Sequence, residues 1–223
     1  NMKRSLSLTI LYLFVSSVAL AQTNPFEPEI RAFEKQDSAK APKPGQILLY
    51  GSSTLRLWDT YAQDFTCKTL SVVNRGFGGS QTSDANLFFD RVVLPQKPKY
   101  LFFYEGDNDL NAGKSVETIF ADFQVFMQKM KTQLPNTRVV IFAVKPSPSR
   151  IKLFEQQKAL NKQFKQLARK EKQLYFMDTF TPMLGKDGKP DPTLYKADML
   201  HMNAQGYRIW TARVQRLLKR WKA

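Results

Sequence analysis

Five short, almost uninterrupted apolar runs, separated by longer stretches of helical periodicity, constrain this chain more than any other feature. They read as strands at residues 47–50, 69–74, 99–104, 138–144 and 173–177. A strand apolar on both sides must be covered on both sides, and strands that alternate with helices pair in parallel. The pattern therefore predicts a parallel sheet between two helical layers. In the intervening stretches, residues 54–63 and 83–93 read as helices. Ser115 reads as the cap of a longer helix whose buried face is Val116, Ile119, Phe120, Phe123, Met127 and Met130. A later helix carries Leu153, Leu160, Phe164 and Leu167 on one face, and a last one from Asn203 buries Tyr207, Trp210, Val214, Leu217 and Trp221.

The 223 residues, 43% hydrophobic and 24% charged, suffice for one core, so residues 46–223 are expected to form a single domain. Ahead of it, residues 22–45 are polar and proline-punctuated and read as a leader segment with a short helix at residues 29–34. Residues 1–21 have the form of a signal peptide: Lys3 and Arg4, an apolar run over 8–20, and Ala19-Leu20-Ala21 as a small-x-small cleavage site. The run is too short for a comfortable membrane span. The expectation is an exported protein, periplasmic or secreted, beginning at Gln22 and without a transmembrane span. A single cysteine, Cys67, excludes an internal disulfide and lies far from the cleavage site, where a lipidated cysteine would have to stand.

The net charge of +15 falls to +13 once Lys3 and Arg4 leave with the signal peptide. Such basicity invites a nucleic-acid reading. The basic residues are, however, scattered over helix faces (Lys158, Lys162, Lys165, Arg169; Arg213, Arg216, Lys219, Arg220), which fits a solvated surface or weak attraction to anionic envelope polymers better. No nucleic-acid partner is expected.

The first strand ends in Gly51-Ser52-Ser53 and runs straight into Thr54-Leu-Arg56-Leu-Trp58. This is strand, sharp turn, helix. A serine at such a turn stands at the carboxyl end of the strand, and its backbone N–H belongs to the unsatisfied first turn of the helix, where negative charge is welcome. Ser53 is the candidate nucleophile. Serine also serves there simply as a helix cap, so the assignment needs partners. His201 is the one histidine in the chain, and Asp198 precedes it by three residues, within reach to fix its tautomer. Ser53, Asp198 and His201 together supply nucleophile, orienting carboxylate and base. Donors for an oxyanion are available in the N–H of Ser53, the N–H of Gly79 after the second strand, and the side-chain amide of Asn108 after the third. In a parallel sheet all of these gather at the carboxyl ends of the strands.

In combination these blocks resemble the SGNH hydrolases, or GDSL-like lipases and esterases, over residues 45–221. They appear in order as Gly51-Ser52-Ser53, Asn74-Arg-Gly-Phe-Gly-Gly79, Gly106-Asp-Asn108-Asp109 and Asp198-Met-Leu-His201. The resemblance implies a three-layer α/β/α sandwich with a flavodoxin-like five-stranded parallel sheet. It also implies a triad of Ser53, His201 and Asp198, and an oxyanion hole of Ser53, Gly79 and Asn108. One departure is Ser52, where the family name expects aspartate; a changed hydrogen-bond network follows, not a dead enzyme. With Arg56 and Trp58 behind it, the first block looks most like the branch resembling platelet-activating-factor acetylhydrolases.

Other chemistries fail on spacing. Gly113-Lys114-Ser115 imitates the end of a phosphate-binding loop, but the glycine required at 108 is Asn108. Gly76 and Gly78 lack the third glycine of a dinucleotide fingerprint, since position 81 is Gln81. One histidine and one cysteine cannot build a His-rich or Cys-rich zinc site. The expected function is a cofactor-free esterase of short acyl esters, acetyl above all, such as those of acetylated sugars. The contrasting reading is a catalytically silent envelope or carbohydrate-binding module on the same scaffold.

Overall fold

The computed structural model describes residues 24–65, 67 and 69–223; the signal peptide expected at residues 1–21 lies outside the described residues. In chain order come α1 (Glu27–Ala39), β1 (Ile47–Gly51), α2 (Ser53–Arg56), α3 (Tyr61–Asp64), β2 (Val72–Gly76), α4 (Thr82–Leu87) and α5 (Phe89–Val92). They are followed by β3 (Tyr100–Tyr104), α6 (Asp107–Asn111), α7 (Val116–Gln133), β4 (Arg138–Phe142), α8 (Phe154–Lys170), β5 (Leu174–Met177) and α9 (Ala204–Trp221). The five strands form one all-parallel sheet in the order β2-β1-β3-β4-β5. The direction of winding reverses between β1 and β3, and a crevice opens at the carboxyl ends of strands at such a point.

Every residue of β1 and β3 is buried. Leu48, Tyr50, Leu101 and Phe103 face a layer built from α1, α4, α5, α7 and α8, with Phe123 and Phe126 of α7 stacked against Phe103. Their alternates Ile47, Leu49, Phe102 and Tyr104 face Trp58, Phe65 and the Tyr207–Trp210–Val214 stripe of α9. Each such aliphatic or aromatic side chain contributes about 1.5–3 kcal/mol on burial. The α/β/α sandwich expected from the sequence is the fold.

Several elements differ from the expectation. The helix expected over residues 54–63 is two single turns, because the chain leaves the helix at Leu57 to carry Trp58 fully into the core, where its indole N–H donates to Asp64 at 2.7 Å. The helix expected over 83–93 begins at Thr82 and breaks at Phe88 into α4 and α5. The second strand is shifted along the chain from the expected 69–74: it starts three residues later, at Val72, and ends two later, at Gly76. Pairing against β1 recruits Arg75 opposite Tyr50, and Gln36 and Asp37 of α1 take up its guanidinium.

The helix in the segment preceding β1 is also longer than expected. It spans 13 residues, opens with Glu27 and Glu29 at its positive end, buries Ile30 completely, and is clamped by Arg91 through both Glu27 and Glu34. The Glu27 carboxyl is held at about 2 by its hydrogen bonds to Arg91 and then Arg31. Apolar positions alone did not mark its full length, since Ile30 is its one fully buried side chain.

Candidate active site

The site is assembled from the ends of β1, β2 and β3 and from the loop ahead of α9. Gly51 closes β1 at φ +140°, and a Cβ there would lie 2.1 Å from the Tyr104 carbonyl oxygen; only glycine lets β1 and β3 approach so closely at this turn. The turn places Ser52 at the N-cap of α2 and Ser53 at its first position. Ser52 is buried, donates its N–H to the Tyr104 carbonyl at 3.1 Å and makes no side-chain cap bond, so its role is to hold the turn.

Ser53 Oγ lies 3.1 Å from His201 Nε2, and His201 Nδ1 lies 2.6 Å from Asp198 Oδ2. Asp198 is itself fixed, because its Oδ1 accepts the backbone N–H groups of Leu200 and His201, both at 2.9 Å. Partial burial opposes its ionisation, yet the His201 side chain and these two N–H groups outweigh that and lower its pKa to about 2. An ionised carboxylate can only accept, so the proton of the neutral ring sits on Nδ1 and Nε2 turns a lone pair toward the Ser53 hydroxyl. The segment carrying His201 is pinned from both sides. Lys196 N–H donates to the His201 carbonyl at 2.8 Å, and Asn203 caps α9 through Gln205 and Gly206. One turn into α9, Tyr207 OH donates to the Thr54 carbonyl at 2.9 Å, tying α9 to the helix that begins with Ser53.

Gly79 takes φ +87° in the exposed turn after β2. Neither its N–H nor that of Ser53 donates to another backbone group among the described residues. Asn108, in the first turn of α6, donates through Nδ2 to the carbonyl of Ser80, the residue after Gly79, at 2.9 Å. The expected residues are therefore brought together in two connected groups: Ser53, His201 and Asp198 in one hydrogen-bonded line, and Asn108 against the Gly79–Ser80 turn.

Several residues beneath this frame escaped the sequence reading. Ser80 Oγ is 2.6 Å from Glu105 Oε1, both fully buried. Burial, followed by the nearby Asp109, pushes the Glu105 carboxyl well above the usual carboxylate range. Asp107, buried, pairs with Lys145 at 2.9 Å and Arg150 at 2.9 Å, and Arg150 Nη2 donates to Asn108 Oδ1 at 3.1 Å. Burial works against ionisation of Asp107, but Lys145 and Arg150 outweigh it and hold its carboxyl below the usual range. The signal for these groups was a charged run, Glu105-Gly-Asp107-Asn-Asp109, at the end of an apolar strand, where a solvated loop is the ordinary reading.

With this geometry in hand, the likeness to known proteins is specific. The sequence profile of the GDSL-like lipase/acylhydrolase family matches residues 48–209. A structure from Streptococcus pneumonia named for platelet activating factor superposes with a TM-score of 0.74 at 20% identity, covering 88% of this chain and 92% of that one. A carbohydrate esterase of family 3 from Talaromyces cellulolyticus superposes with a TM-score of 0.61 at 16% identity, over 80% of this chain and 98% of that one. At these identities the likeness is one of fold. The Bacillus subtilis lipoprotein YqeF is 55% identical over 40 residues, which are 18% of this chain and 16% of that protein. Among the described residues no helix is long and apolar enough to cross a membrane.

Proposed function

The chain belongs to the GDSL-like lipase/acylhydrolase family of carboxylic ester hydrolases, and on that premise we propose that it is an exported serine esterase that removes short acyl groups through Ser53, His201 and Asp198. The observation that carries the proposal is the unbroken line from Ser53 Oγ through the imidazole to the Asp198 carboxylate. His201 Nε2 takes the hydroxyl proton as Ser53 Oγ attacks the ester carbonyl. Asp198 holds the tautomer and stabilises the imidazolium that forms. The tetrahedral oxyanion is received by the N–H groups of Ser53 and Gly79 and by the Asn108 amide, each donor typically worth about 3 kcal/mol. The imidazolium then protonates the leaving alkoxide, and water repeats the sequence on the acyl-enzyme.

A short acyl group fits the surroundings. The loops at 145–150 and 181–197 are polar and proline-stiffened, and the large apolar side chains left more than a third exposed include just two in this region of the chain, Ile151 and Met199. The likeness of fold to a carbohydrate esterase favours an acetylated sugar as the ester. The form of residues 1–21, together with the partial likeness to a lipoprotein, supports export. A fluorophosphonate probe should label Ser53 and block hydrolysis of an aryl acetate, with acetyl esters turned over faster than palmitoyl esters. Folded protein that neither labels nor hydrolyses would instead be a silent binding module.

A further inference from the structure

The Asn108 side chain is held at both ends of its amide. Its Oδ1 accepts from Arg150 Nη2 at 3.1 Å and its Nδ2 donates to the Ser80 carbonyl at 2.9 Å. A guanidinium can only donate and a backbone carbonyl can only accept, so these two partners fix which end of the amide is oxygen. An NH₂ group has two hydrogens, and Ser80 uses one. The other has no acceptor among the described residues.

Arg150 is rigidly placed to do this. Asn161 of α8 grips both the N–H and the carbonyl of Val144, at 2.8 and 3.0 Å, where β4 gives way to the loop. Tyr195 OH donates to the Pro146 carbonyl, and Ser149 N–H donates to the Met199 carbonyl at 3.1 Å, joining the loop to the Asp198–His201 segment. The charges around it are unbalanced. Lys145, Asp107 and Arg150 have side chains 1%, 5% and 11% exposed, which leaves two cations for one carboxylate. An uncompensated buried cation is costly in a resting fold. That cost is offset when an anion forms nearby.

We propose that Arg150 is a positioning residue of the oxyanion hole: supported by Asp107 and Lys145, it orients the Asn108 amide and draws electron density from it, so that the free Nδ2–H becomes a stronger donor as the oxyanion develops. The proposal rests on the esterase reading above for its catalytic consequence, whereas the orientation and polarisation of Asn108 stand apart from it.

The test uses Arg150→Met, Arg150→Lys and Arg150→Ala in the full chain. Arg150→Met should lower kcat about 10- to 100-fold with KM within about 2-fold of the parent, part of the 10²–10³ lost when one oxyanion donor is removed. Arg150→Lys keeps charge without the fork and should fall between. Added guanidinium ion should restore activity to Arg150→Ala and leave the parent unchanged. Independently of turnover, the side-chain amide protons of Asn108, assigned by their loss in Asn108→Ala, should move upfield in Arg150→Met and again in Arg150→Lys. Unmoved Asn108 resonances in a folded variant overturn the proposal whatever the activity. Unchanged kcat in Arg150→Met, where Ser53→Ala is inactive, overturns the catalytic part and leaves the esterase reading intact. Should Arg150→Met fail to fold, Arg150→Lys carries the same two readouts.

Discussion

Ser53 and His201 stand 148 residues apart in the chain, yet Oγ and Nε2 are 3.1 Å apart. Two local devices make that possible: the glycine-permitted turn at the end of β1 and the hydrogen bond from Tyr207 of α9 to the carbonyl beside Ser53. Neither involves the reacting atoms. The arrangement is therefore set in the free enzyme, as efficient nucleophilic catalysis requires.

Ser53→Ala should lower kcat for an aryl acetate by about 10⁶-fold, as loss of a triad serine typically does. Ser52→Ala should retain much of the activity, because Ser52 works through its backbone N–H and makes no side-chain cap bond. Steady-state kinetics on the two variants decides between them. Roles reversed would remove the nucleophile from Ser53.

Two glycines with positive φ should respond differently to alanine. At Gly79 (φ +87°) the space around a Cβ is open, so the cost is the left-handed backbone alone, of order 1–3 kcal/mol. At Gly51 (φ +140°) the same change adds a collision with the Tyr104 carbonyl, and neither strand can withdraw without breaking the ladder. Urea unfolding should therefore find Gly51→Ala clearly less stable than Gly79→Ala. Equal midpoints would mean that β1 and β3 can separate at this point.

How much of this could be read from the sequence follows from where the determinants sit. Apolar runs without interruption revealed the parallel sheet, because burial on both faces leaves no other pattern, and the single histidine revealed its own partner through a three-residue spacing. Boundaries were read less well wherever a tertiary contact outvoted local preference: Trp58 ends a helix by diving into the core, and Arg75 joins a strand because α1 supplies its counter-charge. The charges beneath Asn108 were the least legible. Arg150 and Asp107 are 43 residues apart and meet only when β3 and β4 lie side by side, so nothing local distinguishes them from solvated loop residues.

Glu105 offers a test of that buried charge pattern by linkage. Ser80 has one hydroxyl hydrogen, yet its Oγ faces both the Phe77 carbonyl at 2.9 Å and Glu105 Oε1 at 2.6 Å. A protonated Glu105 donating to Ser80 resolves the conflict, in line with a carboxyl pushed well above its ordinary 4.5 by burial. A group whose pKa is raised on folding contributes stability fully below its unfolded pKa and loses it as pH rises. Glu105→Gln, which cannot ionise, should thus match the parent near pH 4 and gain on it progressively above about 4.5. Urea midpoints of both proteins across that range measure the difference. A gap that narrows with rising pH would show the carboxyl ionised in the fold.

Asp198 sets the last expectation. With its carboxyl at about 2, the contribution of its ionised form to stability is complete above its ordinary 3.8 and is lost only as pH falls through about 2, so it is charged throughout any range in which an ester assay is run. An acid limb in kcat/KM above pH about 4 then has one carrier in the triad, the imidazole, since a protonated ring cannot accept the Ser53 proton. That limb should have unit slope on a logarithmic plot. Asp198→Asn should lower the plateau about 10²- to 10⁴-fold: an amide that turns its N–H toward Nδ1 favours the wrong tautomer, and one that turns its oxygen there holds the imidazolium without a charge. In the first of these orientations the amide oxygen still accepts the backbone N–H groups of Leu200 and His201, which favours that orientation and should leave the loop and the melting temperature little changed. Because no second histidine exists to confuse the assignment, following the His201 ring resonances by NMR beside the rate profile gives a strict comparison. If the ring changes protonation state while activity stays flat, His201 is not the base, and the line from Ser53 to Asp198 is structural.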